Sequence, residues 1–160
     1  MREIGFRGKD AMGRKGWVYG DLVHNQKVTA TGLEPRVMVG GYEVFPYSVG
    51  EYTGLTDKNG VKIYEGDIVV RRDLTFNIER TCVVVYNNEI ASFRLHYQNE
   101  VYTVRYDFIS SDIYNDGKCT IESKYEYEVI GNIYDDKDLL TQKITLKWIY
   151  QVRLLRFCRR

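Results

Sequence analysis

What the chain lacks bounds it first. Proline is nearly missing, with two in 160 residues, and histidine also numbers two. The three cysteines, Cys82, Cys119 and Cys158, are odd in number, widely spaced and without a CxxC pair. That pattern argues against a disulfide framework or a zinc site and reads as buried free thiols. There is no charge excess, since the formal net charge is +1, and so no whole-molecule attraction to nucleic acid or an anionic membrane. No apolar window is long enough for a membrane span, and Met1–Phe6 lacks the apolar core of a signal peptide. The expectation is a cytoplasmic chain with no membrane partner. HExxH, Walker, GxSxG and dinucleotide motifs are all missing. No catalytic residue, metal ligand or cofactor is assigned, and the chain is read as not an enzyme.

What is present points to β-structure. Fourteen tyrosines suit half-buried pleated surfaces, where the ring packs and the hydroxyl reaches water. The stretch Val49–Val70 combines two bends with flanking strands. Asp57-Lys58-Asn59-Gly60 supplies the first, because Asp bonds its own backbone and Asn-Gly tolerates positive φ. Glu65-Gly66-Asp67 supplies the second, and Ile68-Val69-Val70 leaves it as a buried strand. The two bends are expected to fix the register of three strands. Asp57, Asn59, Gly60, Gly66 and Asp67 are thus structural turn residues. Asp57, Glu65 and Asp67 also form the best carboxylate cluster, but Asp beside Gly is what such bends require, and a metal would need further oxygen ligands.

Before this stretch, Ile4–Arg7 and Gly16–His24 read as strands. Gly20, inside the second run, suggests a bulge or a close backbone crossing. Lys27–Thr31 is a further candidate strand. Gly40-Gly41 marks a tight hairpin between Arg36–Val39 and Tyr42–Phe45, ended by Pro46. After it, Thr81–Tyr86 is a nearly continuous apolar run expected to be buried on both faces. Ile90–Tyr97 and Glu100–Ile109 alternate, and Tyr125–Ile130 closes the meander. The fold class is mainly β with little helix: antiparallel strands with a small SH3-like barrel or a plain meander in the C-terminal half. Residues 1–55 read as an N-terminal β-rich lobe and 56–136 as a barrel or meander lobe. Residues 137–160 then form a basic apolar extension, unless the whole is one domain.

Several blocks resemble the YopX-like family of phage and mobile-element proteins. They are Phe6-Arg7-Gly8-Lys9, Gly16–Leu22, Val49–Leu55, Asp57–Gly60, Ile63–Val69 and Val129–Tyr134, in the family's order. Two departures stand out: Pro46-Tyr47-Ser48 replaces an acidic Pro-Glu-Thr, and the chain after Leu140 passes the usual end. The resemblance implies a β-rich fold, a phage or prophage origin and self-association, with no established activity.

The candidate surfaces follow from charge. Thr141–Arg160 carries six basic and no acidic residues, leaving residues 1–140 at −5 against the overall +1. Ile144, Leu146, Trp148, Tyr150, Val152 and Leu154 alternate there as in a strand, which completes its own sheet, joins a neighbour's or stays frayed. Asp135-Asp136-Lys137-Asp138, just before it, suits the cap of a short helical turn. Arg94, His96 and Arg105 lie on the expected polar faces of adjacent strands. With Trp148, Arg153 and Arg156 they form the expected interaction surface. The leading expectation is a non-enzymatic interaction protein, homo-oligomeric or bound to a phage or host protein by strand addition. The alternative is a nucleic-acid-binding small barrel, which the alternation disfavours by turning the tyrosines away from the arginines.

Overall fold

A computed structural model describes residues 3–98, 104–108, 114–115, 118–119 and 125–140. The chain divides into two compact units, Met1–Gly66 and Asp67–Arg160. The division falls at Gly66 rather than near Leu55, because the strand after the Asp57 bend folds back on the one before it. Both units are built from antiparallel strands, as the alternation and turn signals imply. Among the described residues no helix is long and apolar enough to cross a membrane.

The first unit holds seven strands: β1 (Phe6–Lys9), β2 (Trp17–Gly20), β3 (Leu22–Thr29), β4 (Gly32–Val39), β5 (Tyr42–Glu43), β6 (Gly50–Thr56) and β7 (Lys62–Tyr64). They form one sheet in the order β2-β1-β6-β7 and a second in the order β3-β4-β5. The run Gly16–His24 is therefore not one strand. It breaks at Asp21, and its halves join different sheets. Gly20 makes the break feasible: a Cβ there would lie 2.7 Å from the Gly40 Cα, at a φ of +147° that L side chains rarely adopt. This is the close crossing expected at Gly20. The Gly40-Gly41 hairpin also forms, with both glycines at positive φ, Met38 opposite Glu43 and Val39 opposite Tyr42. Val18, Val39 and Val44 are buried between the sheets, with Phe6, Leu22, Val37, Tyr42 and Val49 packed around them.

The second unit holds β8 (Asp67–Asp73), β9 (Ile78–Asn87), β10 (Ser92–Gln98), β11 (Val104–Phe108), β12 (Tyr114–Asn115), β13 (Lys118–Cys119) and β14 (Tyr125–Asn132). Its main sheet runs β11-β10-β9-β8-β14, and β12 pairs with β13 alone. The final strand returns to β8, with Tyr125 opposite Asp73 and Asn132 opposite Asp67. Among the described residues β11 and β14 do not pair, so the observed pairings are those of an open antiparallel sheet. Ile68, Val69, Cys82, Val84 and Leu95 are fully buried. The apolar run in β9 is covered less evenly than expected. Cys82 and Val84 are buried, whereas Val83 and Val85 are half-buried and Tyr86 is exposed. One face meets the core and the other is only partly covered. Cys82 is a buried free thiol, as its context implied.

The bends of the central stretch fix less than expected. The first pairs β6 with β7, Tyr52 opposite Tyr64 and Thr56 opposite Lys62. The second does not pair β7 with β8. Gly66, at a φ of +82°, carries the chain from one unit into the other, and β8 takes its partners from β9 and β14. After β14, Leu139 donates to the Asp136 carbonyl at 2.9 Å, starting the expected helical turn at 138–140. The Asp136 carboxylate does not cap it, and instead accepts the Asn132 N–H at 3.0 Å.

Candidate functional site

Of the carboxylates near the central bends, that of Asp57 serves the backbone. Asp57 is buried, and its Oδ1 accepts the N–H of Asn59 at 2.8 Å and of Val61 at 2.9 Å. Its carbonyl accepts the Gly60 N–H at 3.0 Å, with Gly60 at a φ of +81°. Asp67, also buried, belongs to the other unit and stands opposite Asn132. The Glu65 carbonyl accepts a guanidinium N–H of Arg7 at 3.1 Å. It also lies where a side chain on Gly50 would go, since a Cβ there would be 2.4 Å away. Among the described residues no group of three His, Cys, Asp or Glu stands ready to hold a metal ion.

The basic residues expected on one surface are only partly brought together. Arg94 and His96 sit two apart on β10, both half-buried, opposite Val85 and Val83 of β9. The β10–β11 register pairs Arg94 with Phe108, His96 with Tyr106 and Arg105 with Tyr97. Arg105 is therefore not opposite either of the other two. Trp148, Arg153 and Arg156, with the rest of Thr141–Arg160, lie outside the described residues. His24, the last residue of the run Gly16–His24, stands exposed as the third residue of β3.

Two features escaped the sequence reading. Asp10 is buried at the end of β1, and its carboxylate accepts the N–H of Met12 (2.9 Å), Arg14 (2.9 Å) and Lys15 (3.1 Å). The Met12 bond leads in holding its pKa below the usual carboxylate value, against the opposing effect of desolvation. An Asp before a glycine-rich loop was the available signal. The second feature surrounds Arg7, whose guanidinium lies 4.7 Å from the Trp17 ring and 5.2 Å from Tyr64. Tyr64 in turn contacts Tyr19 and Tyr52 at 5.6 and 5.5 Å between centroids. Arg7, Tyr52 and Tyr64 are all buried, so the cluster cements the β2-β1-β6-β7 sheet. No local pattern announces it, because its members come from four strands.

The exposed feature of the first unit is the β3–β4 hairpin. Its register runs from Leu22 opposite Val39 to Thr29 opposite Gly32. Leu22, Val37 and Val39, near its base, contribute to the core. Period-2 alternation places Val28 and Leu33 on the same face near the tip. There they stand opposite each other, 85% and 63% exposed. On β4 that face is apolar from Leu33 through Val39 and so continues beyond the core, whereas on β3 His24 and Gln26 lie between Leu22 and Val28. The opposite face carries Val23 and Met38 beside polar pairs: Arg36 donates to the Asn25 side chain at 2.7 Å, and Lys27 pairs with Glu43 at 2.7 Å. Among the described residues β3 pairs with β4 alone.

No curated protein matches the chain. Among solved structures, protein EF1440 from Enterococcus faecalis is similar at 24% identity, with 88% of this chain and 99% of that one covered and a TM-score of 0.48. The profile of the YopX protein family matches residues 6–141, and these include every block that carried the resemblance, so the chain belongs to the YopX family.

Proposed function

We propose that this is a non-enzymatic interaction protein of a phage or integrated element, acting by self-association. Its contacts are an open sheet edge and the Thr141–Arg160 extension, and its mode is strand addition. The observation that carries the reading is the β3–β4 hairpin, which runs past the core to leave the facing pair Val28 and Leu33 85% and 63% exposed. Exposed valine on a strand whose outer edge has no partner among the described residues is a liability in a monomer, because the outward N–H and C=O groups beside it recruit another strand. The Asp57 carboxylate supports the non-enzymatic part, being engaged by the backbone N–H groups of Asn59 and Val61. Size-exclusion chromatography with light scattering tests the proposal. The full chain should exceed 18.8 kDa, and truncation after Leu140 should shift it toward smaller species. A full chain that runs as a monomer at every concentration would sink the reading.

A further inference from the structure

Pro35 decides which edge of the hairpin is open. It stands opposite Gln26, and without an N–H it belongs to a non-hydrogen-bonded pair of the ladder. Two contacts agree with that phase. The Val37 carbonyl points outward to accept the Val44 N–H at 3.0 Å, and the Asp21 carbonyl points inward to accept the Gly40 N–H at 3.1 Å. On β4 the outer edge therefore lacks a donor at Pro35 and is taken by β5 at its base. On β3, by alternation, Leu22, His24, Gln26 and Val28 all turn their N–H and C=O groups outward.

That edge carries few of the usual guards against pairing. It spans eight residues without proline or glycine, and its single charged residue, Lys27, is paired with Glu43. It is also self-complementary. Resting on the self-association reading above, we infer that β3 pairs antiparallel with β3 of a second copy about a two-fold axis at Asn25. An axis perpendicular to the sheet keeps like faces together, so residues of the same parity must meet. Centred on Asn25, Leu22 meets Val28 of the second copy, His24 meets Gln26, and Val23 meets Lys27. The exposed valine thus gains an apolar neighbour at the rim of the second core, and no like charges oppose each other. Shifting the centre to Gln26 sets Val28 against His24 and loses the apolar match. A partner of different sequence would gain the same backbone bonds, but only a second copy has this match built in.

Disulfide trapping reads the register directly. In Asn25→Cys the two thiols face each other across a non-hydrogen-bonded pair, with Cα atoms about 4.5 Å apart, within disulfide reach. Mild oxidation should give a covalent dimer well above the wild-type background from the native cysteines, and Gln26→Cys should give far less. Equal trapping at both positions, or none at Asn25→Cys, overturns the register. Gln26→Pro removes an outward donor and leaves the β3–β4 bonds in place, so it should lower the light-scattering mass from twice 18.8 kDa to once. Val28→Lys keeps the backbone intact and should do the same if Gln26→Pro fails to fold, judged by circular dichroism. An oligomer that survives both substitutions overturns this interface and leaves self-association standing; a monomeric wild type overturns both. A truncation after Leu140 that raises the mass would place the chain's own extension on the edge and also overturn it.

Discussion

The two units reach the same secondary structure by different means. In Met1–Gly66 the strands are mostly short, and their register depends on places where backbone meets backbone or a carboxylate gathers N–H groups. Gly20 lies against Gly40, Gly50 lies under the Glu65 carbonyl, and Asp10 and Asp57 each hold a loop. From Asp67 onward the β8–β9 ladder, six consecutive pairs from Ile68–Val83 to Asp73–Ile78, is shorter than the eight pairs of β3–β4 but runs over fully buried Ile68, Val69 and Cys82. The buried side chains of that sheet do the holding. The first unit should therefore be fragile to a single added methyl group and the second to a deleted side chain.

Gly20→Ala should have the largest effect. The added carbon meets the Gly40 backbone, which has nowhere to retreat, and φ is unsuited to alanine. Overpacking and backbone strain of about 1–3 kcal/mol each suggest a loss of about 4 kcal/mol. Hydrogen exchange should rise most across residues 6–64. An equal rise across residues 67–98 would show that the two units melt together and would break the comparison.

Leu95→Ala should cost about 3 kcal/mol, the usual range for a fully buried leucine, and raise exchange mainly in β8, β9 and β10. A loss below about 1 kcal/mol would mean that this sheet does not depend on its buried face.

A smaller effect follows from pH. The folded-state pKa of Asp10 is depressed, so its contribution is present above the ordinary carboxylate pKa and is lost as pH falls through the folded value. Acid titration followed by Trp17 fluorescence should show a low-pH loss of stability that is reduced in Asp10→Asn. Identical acid profiles would remove Asp10 from the account. Smallest of all is Glu79→Ala, which breaks the exposed Arg72–Glu79 pair and should leave the midpoint of urea unfolding unchanged. A clear shift there would show that side-chain pairs outside the core matter in the second unit.

Local chemistry made several elements legible. Asp57–Gly60 and Gly40-Gly41 form the bends that their residue types require, since Asp, Asn and Gly carry turn preferences with them wherever they stand. Gly20 was readable as a close crossing for a similar reason: a glycine within a strand pattern usually marks something too near for a Cβ. Strand partners were not legible. The break at Asp21, the transfer of β8 to a new sheet and the pairing of Arg105 with Tyr97 all depend on which strand lies alongside. A one-residue change in register exchanges the faces, and the sequence of one strand does not state its neighbour's phase.

Alternation and turn residues by themselves determined that this is a mainly β chain whose central carboxylates sit in bends, while the ordered blocks from Phe6 to Tyr134 carried its resemblance to the YopX family. Only the tertiary structure decided where the chain divides, how Arg94, His96 and Arg105 pair and which hairpin edge has no partner among the described residues. Turn and face preferences belong to single residues and their immediate neighbours. The Arg7 cluster, the bare tip at Val28 and the donor missing at Pro35 acquire meaning only when strands distant in sequence are laid side by side.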